Sequence, residues 1–357
     1  MTVYANKPAF NVREKLKELE KPSGIAGEAM LRAETPQEQQ ALIGVGRRNL
    51  LINGGFDVWQ RGTSATHSTT SGYGKYIAAD RWSVFYTGTK LEAKEYTINN
   101  EFKHAMRITS TTGNTVYAYQ TIEGGSTLSN QTLTYSYWAR ANRVAVISGN
   151  NTWRYGGVNS DTPVYNVAGP ASLNSHHVDT EWRKITHTVT LINDSSGPSF
   201  GRHLFFLLSL DDPATNDWLE VAEVQLELGK VATPFEHRSY GEELALCQRY
   251  YQKFFDESGV NVQLQLIGLN STTGHFVWWP PVQMRARPTV GITTTTPYWE
   301  SYPWNTPGTS LTISGISNGH MGRSGGEIAV FGSFNPGLVR GTNYSMSAEA
   351  LYWDTEL

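Results

Sequence analysis

A mainly β fold class is predicted by three features of the chain. Aromatic residues and glycine are abundant, with 18 Tyr, 11 Trp, 13 Phe and 34 Gly, while only 17% of residues are charged; that balance suits sheet surfaces and turns better than long exposed helices. From Asn49 to Arg238, stretches such as "HAMRITST", "VYAYQTI", "LTYSYWARA", "WRKITHTVTL" and "HLFFLLSL" succeed one another with no long helical pattern between them. The segments that part them, "EGGSTLSNQ" and "NDSSGPSFG" among them, are rich in the Gly, Ser, Asn and Pro that turns require.

The elements follow in order. Residues 1–48 read as a short helical anchor: "NVREKLKELEKP" has Asn11 as cap and Glu14 three positions on, aligns Val12, Leu16 and Leu19, and stops before Pro22. "TPQEQQALIG" repeats the pattern with Thr35, Pro36, Glu38 and Gly44. Two such helices cannot enclose a core, so the segment is expected to dock on another protein or on its own trimer partners, the alternative being a disordered leader. Residues 49–238 suit an antiparallel sandwich or jelly roll. In "WRKITHTVTL", Ile185, His187, Val189 and Leu191 share one face and Lys184, Thr186, Thr188 and Thr190 the other, as in a strand with one wet side. "DWLEVAEVQLEL" is the last strand, ended by Gly229; Pro234 keeps the exit extended, and Ser239 with Glu242 forms a capping box for a linker helix over residues 239–256. Its Leu244, Cys247, Tyr251 and Phe254 fall on one side. Residues 257–357 open with the hairpin "NVQLQLIG", "LNSTTG", "HFVWWPP" and read as a second β domain.

The totals exclude several functions. The 357 residues suit two or three domains. A net charge of -3 provides no field for nucleic acid or anionic membrane. Cys247 has no partner for a disulfide within the chain. No stretch approaches 18 unbroken apolar residues, and the N-terminus lacks the basic and apolar run of a secretion signal, so membrane insertion is not expected.

Catalytic patterns are weak. "GRSGG" places Ser324 between a turn and a strand, whereas a nucleophile elbow needs a strand before and a helix after; His320 nearby does not change this. The adjacent acids Asp211 with Asp212, and Glu242 with Glu243, sit in a turn and in the first turn of a helix, where structure alone accounts for them. "HHVDTEW" lacks the helical spacing of metalloprotease ligands. No enzyme is expected. Sugar binding has more support, because sugar rings pack their C–H faces on exposed aromatics flanked by hydrogen-bonding side chains. "TTPYWESYPWNTPG" offers Tyr298, Trp299, Tyr302 and Trp304 in a Pro-interrupted stretch unsuited to a central strand, and "NNTWRYGG" offers Trp153 and Tyr155 in a turn. Trp59, Trp82 and Trp138 are assigned to the core, and His187 to a buried structural role.

Several phrases occurring in order carry a resemblance. "RRNLLINGGFDVWQRGTS", "ADRW" and "VAEVQLELGKVATPFEHRSYGEELALCQRYYQ", with "PPVQMRARPTV" after them and "ETPQEQQALIG" before, resemble a module of phage tail fibres and other virion surface proteins. The opening phrase is also similar to that of the jelly-roll carbohydrate-binding modules attached to glycosidases. The resemblance implies a homotrimeric tail fibre or appendage, held to other virion tail proteins through residues 1–48 and binding host-surface glycan, made in the host cytoplasm and released by lysis. A structural adaptor or head fibre, and a depolymerising spike, are the alternatives. It also implies a possible structural calcium, for which Asp57, with Glu223 or Asp217, would supply ligands; no other cofactor is expected.

Overall fold

The computed structural model of the chain describes residues 47–68, 75–84, 88–95, 102–128, 131–147, 153–156, 163–166, 176–190, 203–210, 212–253, 263–270, 272–292, 298–301, 311–317, 323–324, 326–334, 343–347 and 351–355. Both helices expected before residue 47 lie outside this set.

Strands β1 (Ser64–Thr66), β2 (Lys75–Tyr76), β3 (Ser83–Val84), β4 (Thr89–Glu95), β5 (His104–Ser110), β6 (Val116–Glu123) and β7 (Thr132–Ala141) open the first unit. It continues with β8 (Ala145–Ile147), β9 (Trp153–Gly156), β10 (Pro163–Asn166), β11 (His176–Val178), β12 (Arg183–Thr190), β13 (His203–Leu210) and β14 (Trp218–Leu228). One six-stranded sheet has the order β1-β4-β5-β14-β7-β12, a second the order β10-β9-β13-β6-β3-β2, and β8 pairs with β11. Among the described residues, the pairings in these sheets are antiparallel. The two sheets share one core, to which Leu91, Ile108, Leu219 and Val221 come from the first and Val84, Ala118, Leu208 and Leu210 from the second. That shared burial makes the unit a β-sandwich. On β12 the alternation read from sequence holds, with Ile185 and Val189 buried and Lys184, Thr186 and Thr188 exposed.

The opening phrase and the closing phrase of the sandwich meet in three dimensions. Asn49 Oδ1 accepts from Leu51 N and Leu226 N, and its Nδ2 donates to Val224 O at 3.0 Å. Asn53 stands in the left-handed region (φ 57°), and its amide bonds both backbone groups of Val58 and the carbonyl of Asp80. Trp82, fully buried beside Phe56 at 5.4 Å, donates its indole N–H to Asn53 O. Arg238 donates to Asn49 O, Leu51 O, Glu236 and Glu243. Buried polar groups bonded this extensively fix one register between segments far apart in the chain.

After β14, Gly229 (φ 110°) turns the chain, and residues 230–236 fold back onto the outer side chains Gln225 and Glu227 of β14 and Thr188 of β12. There Gln225 and Glu227, both buried, bond Thr233, and Gln225 Oε1 accepts from Glu236 N. Helix α1 (Tyr240–Gln248) follows with Ser239 as N-cap, its Oγ accepting from Glu242 N at 3.3 Å. The sequence pattern extends this helix to residue 256, and residues 254–256 lie outside the described set; the helix ends at Gln248, because Tyr251–Lys253 is taken as strand β15. Arg61 stacks on the Tyr251 ring at 3.5 Å and Gln60 Nε2 donates to Tyr251 O, which holds the backbone in that conformation. Cys247 and Tyr251 are buried as expected, but in different elements.

The C-terminal unit contains β15 (Tyr251–Lys253), β16 (Gln263–Asn270), β17 (Thr273–Trp278), β18 (Thr289–Ile292), β19 (Tyr298–Ser301), β20 (Leu311–Ser317), β21 (Gly326–Phe334), β22 (Asn343–Ser347) and β23 (Leu351–Asp354). Its sheets are β15-β23-β18 and β19-β22-β16-β17-β21-β20, and the expected hairpin is β16 with β17. Arg61 joins the two units by ion pairs to Asp80 at 3.0 Å and Asp354 at 3.3 Å. Arg61→Ala removes the guanidinium 3.0 Å from the Asp80 carboxylate, which is 1% exposed; a loss of about 3 kcal/mol in denaturant unfolding is expected.

Candidate functional site

The pairing register assembles a face that no single stretch of sequence shows. Opposite residues of antiparallel strands share a side. Glu92 of β4 therefore aligns with Arg107 of β5, Arg107 with Glu220 of β14, and Glu220 with Arg140 of β7. The next row contains Lys94 opposite Ala105, and Trp138 between Ala222 and Lys184. Trp218 lies opposite Thr109 and Lys90 on the other flank. The intervening residues of these strands point into the core, so this face is the outer one.

Glu220 organises the face. Its side chain is fully buried; Oε1 accepts from Arg107 Nε and Nη2 at 2.8 and 2.6 Å, and Oε2 accepts from Arg140 Nε at 2.7 Å. Held in place, Arg107 lies over the Trp218 ring at 4.3 Å and Arg140 over Trp182 at 4.9 Å. Phe102 packs edge-on against Trp182 at 4.6 Å and beside Trp138 at 6.2 Å, closing a small cluster with Ala105 and Ala222. The Trp138 indole N–H is buried and has no acceptor among the described residues. Trp138, Trp182, Trp218, Arg107 and Arg140 are half-buried, and Lys184 is exposed 6.0 Å from the Trp138 ring centre. Flat rings beside fixed guanidinium groups are what a saccharide needs: stacking for C–H faces and donors for hydroxyl or carboxylate oxygens.

A cleft of about 480 Å³ lies at the end of the sandwich beside α1, lined by Trp59, Gln60, Asp57, His104, Tyr240 and Lys253 among others. Asp57 Oδ1 and His104 Nδ1 form a short contact there. Trp59 donates its indole N–H to Phe56 O, and Tyr240 is 61% exposed. Its size is that of a small-molecule site.

The calcium candidates are dispersed. Asp57 meets His104, and Glu223, at a bulge of β14 with φ 48°, lies 3.6 Å from His237 Nε2. Asp217 directly precedes β14, six residues before Glu223 and roughly 20 Å away by strand rise. Its burial works to raise its pKa, but hydrogen bonds from Asn142, Arg143 and Ala214 outweigh this and hold the carboxyl below its usual value. No group of three or more His, Cys, Asp or Glu suited to a metal occurs among the described residues.

Tyr298 and Trp299 lie on β19, an edge strand as the prolines indicated, opposite Ser347 and Met346 of β22; Tyr302 and Trp304 lie outside the described residues. Trp153 and Tyr155 are in β9, not a turn: β9 is hydrogen-bonded on both sides, to β10 and β13, within its sheet. Of the rings assigned to the core, Trp82 is fully buried there and Trp59 packs against it half-buried. Trp59 lines the cleft and Trp138 belongs to the outer face. Ser324 is exposed in a turn, its Oγ accepting from Gln283 Nε2, and Glu243 is a buried structural acid that accepts from Asn53 N. Sequence reasoning missed Trp182, Trp218, Arg107, Arg140 and Glu220, whose one visible signal was their alternation with buried apolar neighbours.

His187 is half-buried, its ring edge-on to His176 at 5.9 Å. Burial lowers both pKa values, and the charge of His187 lowers that of His176 further. A depressed folded-state value means that the unfolded chain binds more protons, so this part of the stability is complete above pH 6.5 and is lost as pH falls below it. His187→Gln is expected to shrink the drop in melting temperature between pH 7.5 and pH 5 that calorimetry records for the unaltered chain.

No protein-family model and no curated protein matches the chain. Among solved structures it is similar to a CBM22-1 xylan-binding domain from Paenibacillus barcinonensis, at 17% identity over 47% of this chain and 95% of that one, with a TM-score of 0.28. A carbohydrate-binding module in complex with beta-1,4-galactotriose is 12% identical over 51% of this chain and all of that one, with a TM-score of 0.27. The enzymatically active domain of a tailspike from bacteriophage CBA120 is 10% identical over 51% of this chain, with a TM-score of 0.30; the match spans 21% of that chain.

Proposed function

We propose that the chain binds saccharide on the outer face of the first sheet of its sandwich, without catalysis. The observation that carries the reading is the Arg107–Glu220–Arg140 bridge, which holds two guanidinium groups over two indole rings at 4.3 and 4.9 Å. A buried carboxylate shared by two arginines costs desolvation without guaranteed gain in stability; fixing the donors for a ligand gives it a purpose.

The role around that activity is read from the sequence phrases that resemble virion surface proteins: a homotrimeric tail fibre or appendage, attached through residues 1–48 and engaging host-surface glycan, with further contacts from Tyr298, Trp299, Tyr302, Trp304, Trp153 and Tyr155. A structural calcium, with Asp57 and Glu223 or Asp217 as ligands, belongs to the same reading. Two measurements test it. Titration of the full chain with purified host surface polysaccharide is expected to give saturable binding with no release of reducing ends. Sedimentation is expected to give a trimer, and a stable monomer at micromolar concentration contradicts that part.

A further inference from the structure

The saccharide face has a sign opposite to that of the chain. It presents Lys90, Lys94, Arg107, Arg140 and Lys184 against Glu92 and Glu220, five cations to two carboxylates, an excess of three positive charges in a chain whose net charge is -3. The two acids are already engaged. Glu92 lies 3.0 Å from Lys90 and 3.7 Å from Lys94, and Glu220 is sealed beneath its two arginines with no exposed surface. Glu181 and Arg183, flanking Trp182, alternate to the opposite side of β12, and Arg183 pairs with Asp179. What an approaching ligand meets is therefore a cationic surface with aromatic patches.

The cations are also spaced. Arg107 and Arg140 flank β14, two strand separations apart, and Lys184 stands one strand beyond Arg140, which places a positive group every 5–10 Å or so across the strands. A chain with one carboxylate per sugar or per disaccharide meets these groups in turn while its rings rest on Trp218 and Trp182. The planar carboxylate of a uronic acid matches the guanidinium fork.

We infer that the ligand of this face is an acidic polysaccharide bearing sugar carboxylates, bound across the strands. The inference rests on the saccharide-binding reading. The full chain is titrated with acidic polymers (polygalacturonate, alginate, hyaluronate) and neutral ones (galactan, dextran, xylan) at low and high salt. At least one acidic polymer is expected to bind about tenfold or more tighter than every neutral polymer, and to weaken as salt rises. Lys90→Gln with Lys184→Gln, neither of which lines the cleft beside α1, is expected to lower that affinity about tenfold and flatten the salt dependence, with Lys→Arg at both positions restoring it. Neutral polymers binding as tightly as acidic ones, without salt dependence, overturn the inference and leave the saccharide reading standing. Failure of all the polymers overturns both.

Discussion

Replacing Trp182 and Trp218 together by alanine is expected to lower saccharide affinity by about 2 kcal/mol or more, roughly thirtyfold. The two rings are the parts of the face on which a sugar can stack, and each is half-buried under a guanidinium that Glu220 fixes. Removing the indoles deletes the apolar platform and leaves Arg107 and Arg140 paired to Glu220, so the charge of the face is unchanged. Trp182 also touches Phe102 at 4.6 Å, so a melting curve accompanies the titration. Trp59→Ala with Tyr240→Ala serves as the comparison, because those rings line the cleft beside α1. Loss of binding in that variant, with retention in the first, assigns the saccharide to the cleft.

Gly54→Ala is expected to destabilise the sandwich by about 3–5 kcal/mol, among the largest effects of a single methyl group. A Cβ at this position would stand 2.1 Å from the carbonyl oxygen of Val224 and 3.0 Å from Asn49 Nδ2. The obstacle is backbone, and it is fixed: Val224 N donates to Gly54 O, and Asn49 Nδ2 donates to Val224 O. Relief would require separating the opening phrase from β14, along with the bonds from Asn49 to Leu51 and Leu226. Gly241→Ala provides the contrast, since its Cβ would meet nothing within 4 Å in the first turn of α1; a gain of about 0.5 kcal/mol is expected there. Urea midpoints of the two variants check both statements, and an unchanged midpoint for Gly54→Ala contradicts the packing described.

Much of the fold is legible because it is written locally. The alternation in β12, the glycine that ends β14 and the cap at Ser239 each depend on neighbours in sequence. The length of α1 does not. Nothing between Gln248 and Phe254 breaks a helical pattern, and the break comes from Arg61, Gln60 and β23, residues distant in the chain. The site was harder to see for the same reason. Trp182, Arg140, Glu220 and Arg107 come from four segments whose order in the sheet is β5-β14-β7-β12, not the order of the sequence. Assigning Trp138 to the core follows the size of its ring and not the alternation: in "LTYSYWARA" it shares a side with Thr134, Ser136 and Arg140, and the structure places Tyr135 and Tyr137 inside and Trp138 outside against Phe102. Trp153 and Tyr155 look like turn residues beside Asn and Gly, and only their pairing with β10 and β13 shows a strand.

The most direct measurement is a crystal structure of the full chain with a bound acidic oligosaccharide. The expected result places sugar rings within about 4 Å of Trp182 or Trp218, with a carboxylate or hydroxyl oxygen on Arg107, Arg140 or Lys184. Density for the sugar in the Trp59 and Tyr240 cleft or along β19, with the sheet face bare, contradicts the account.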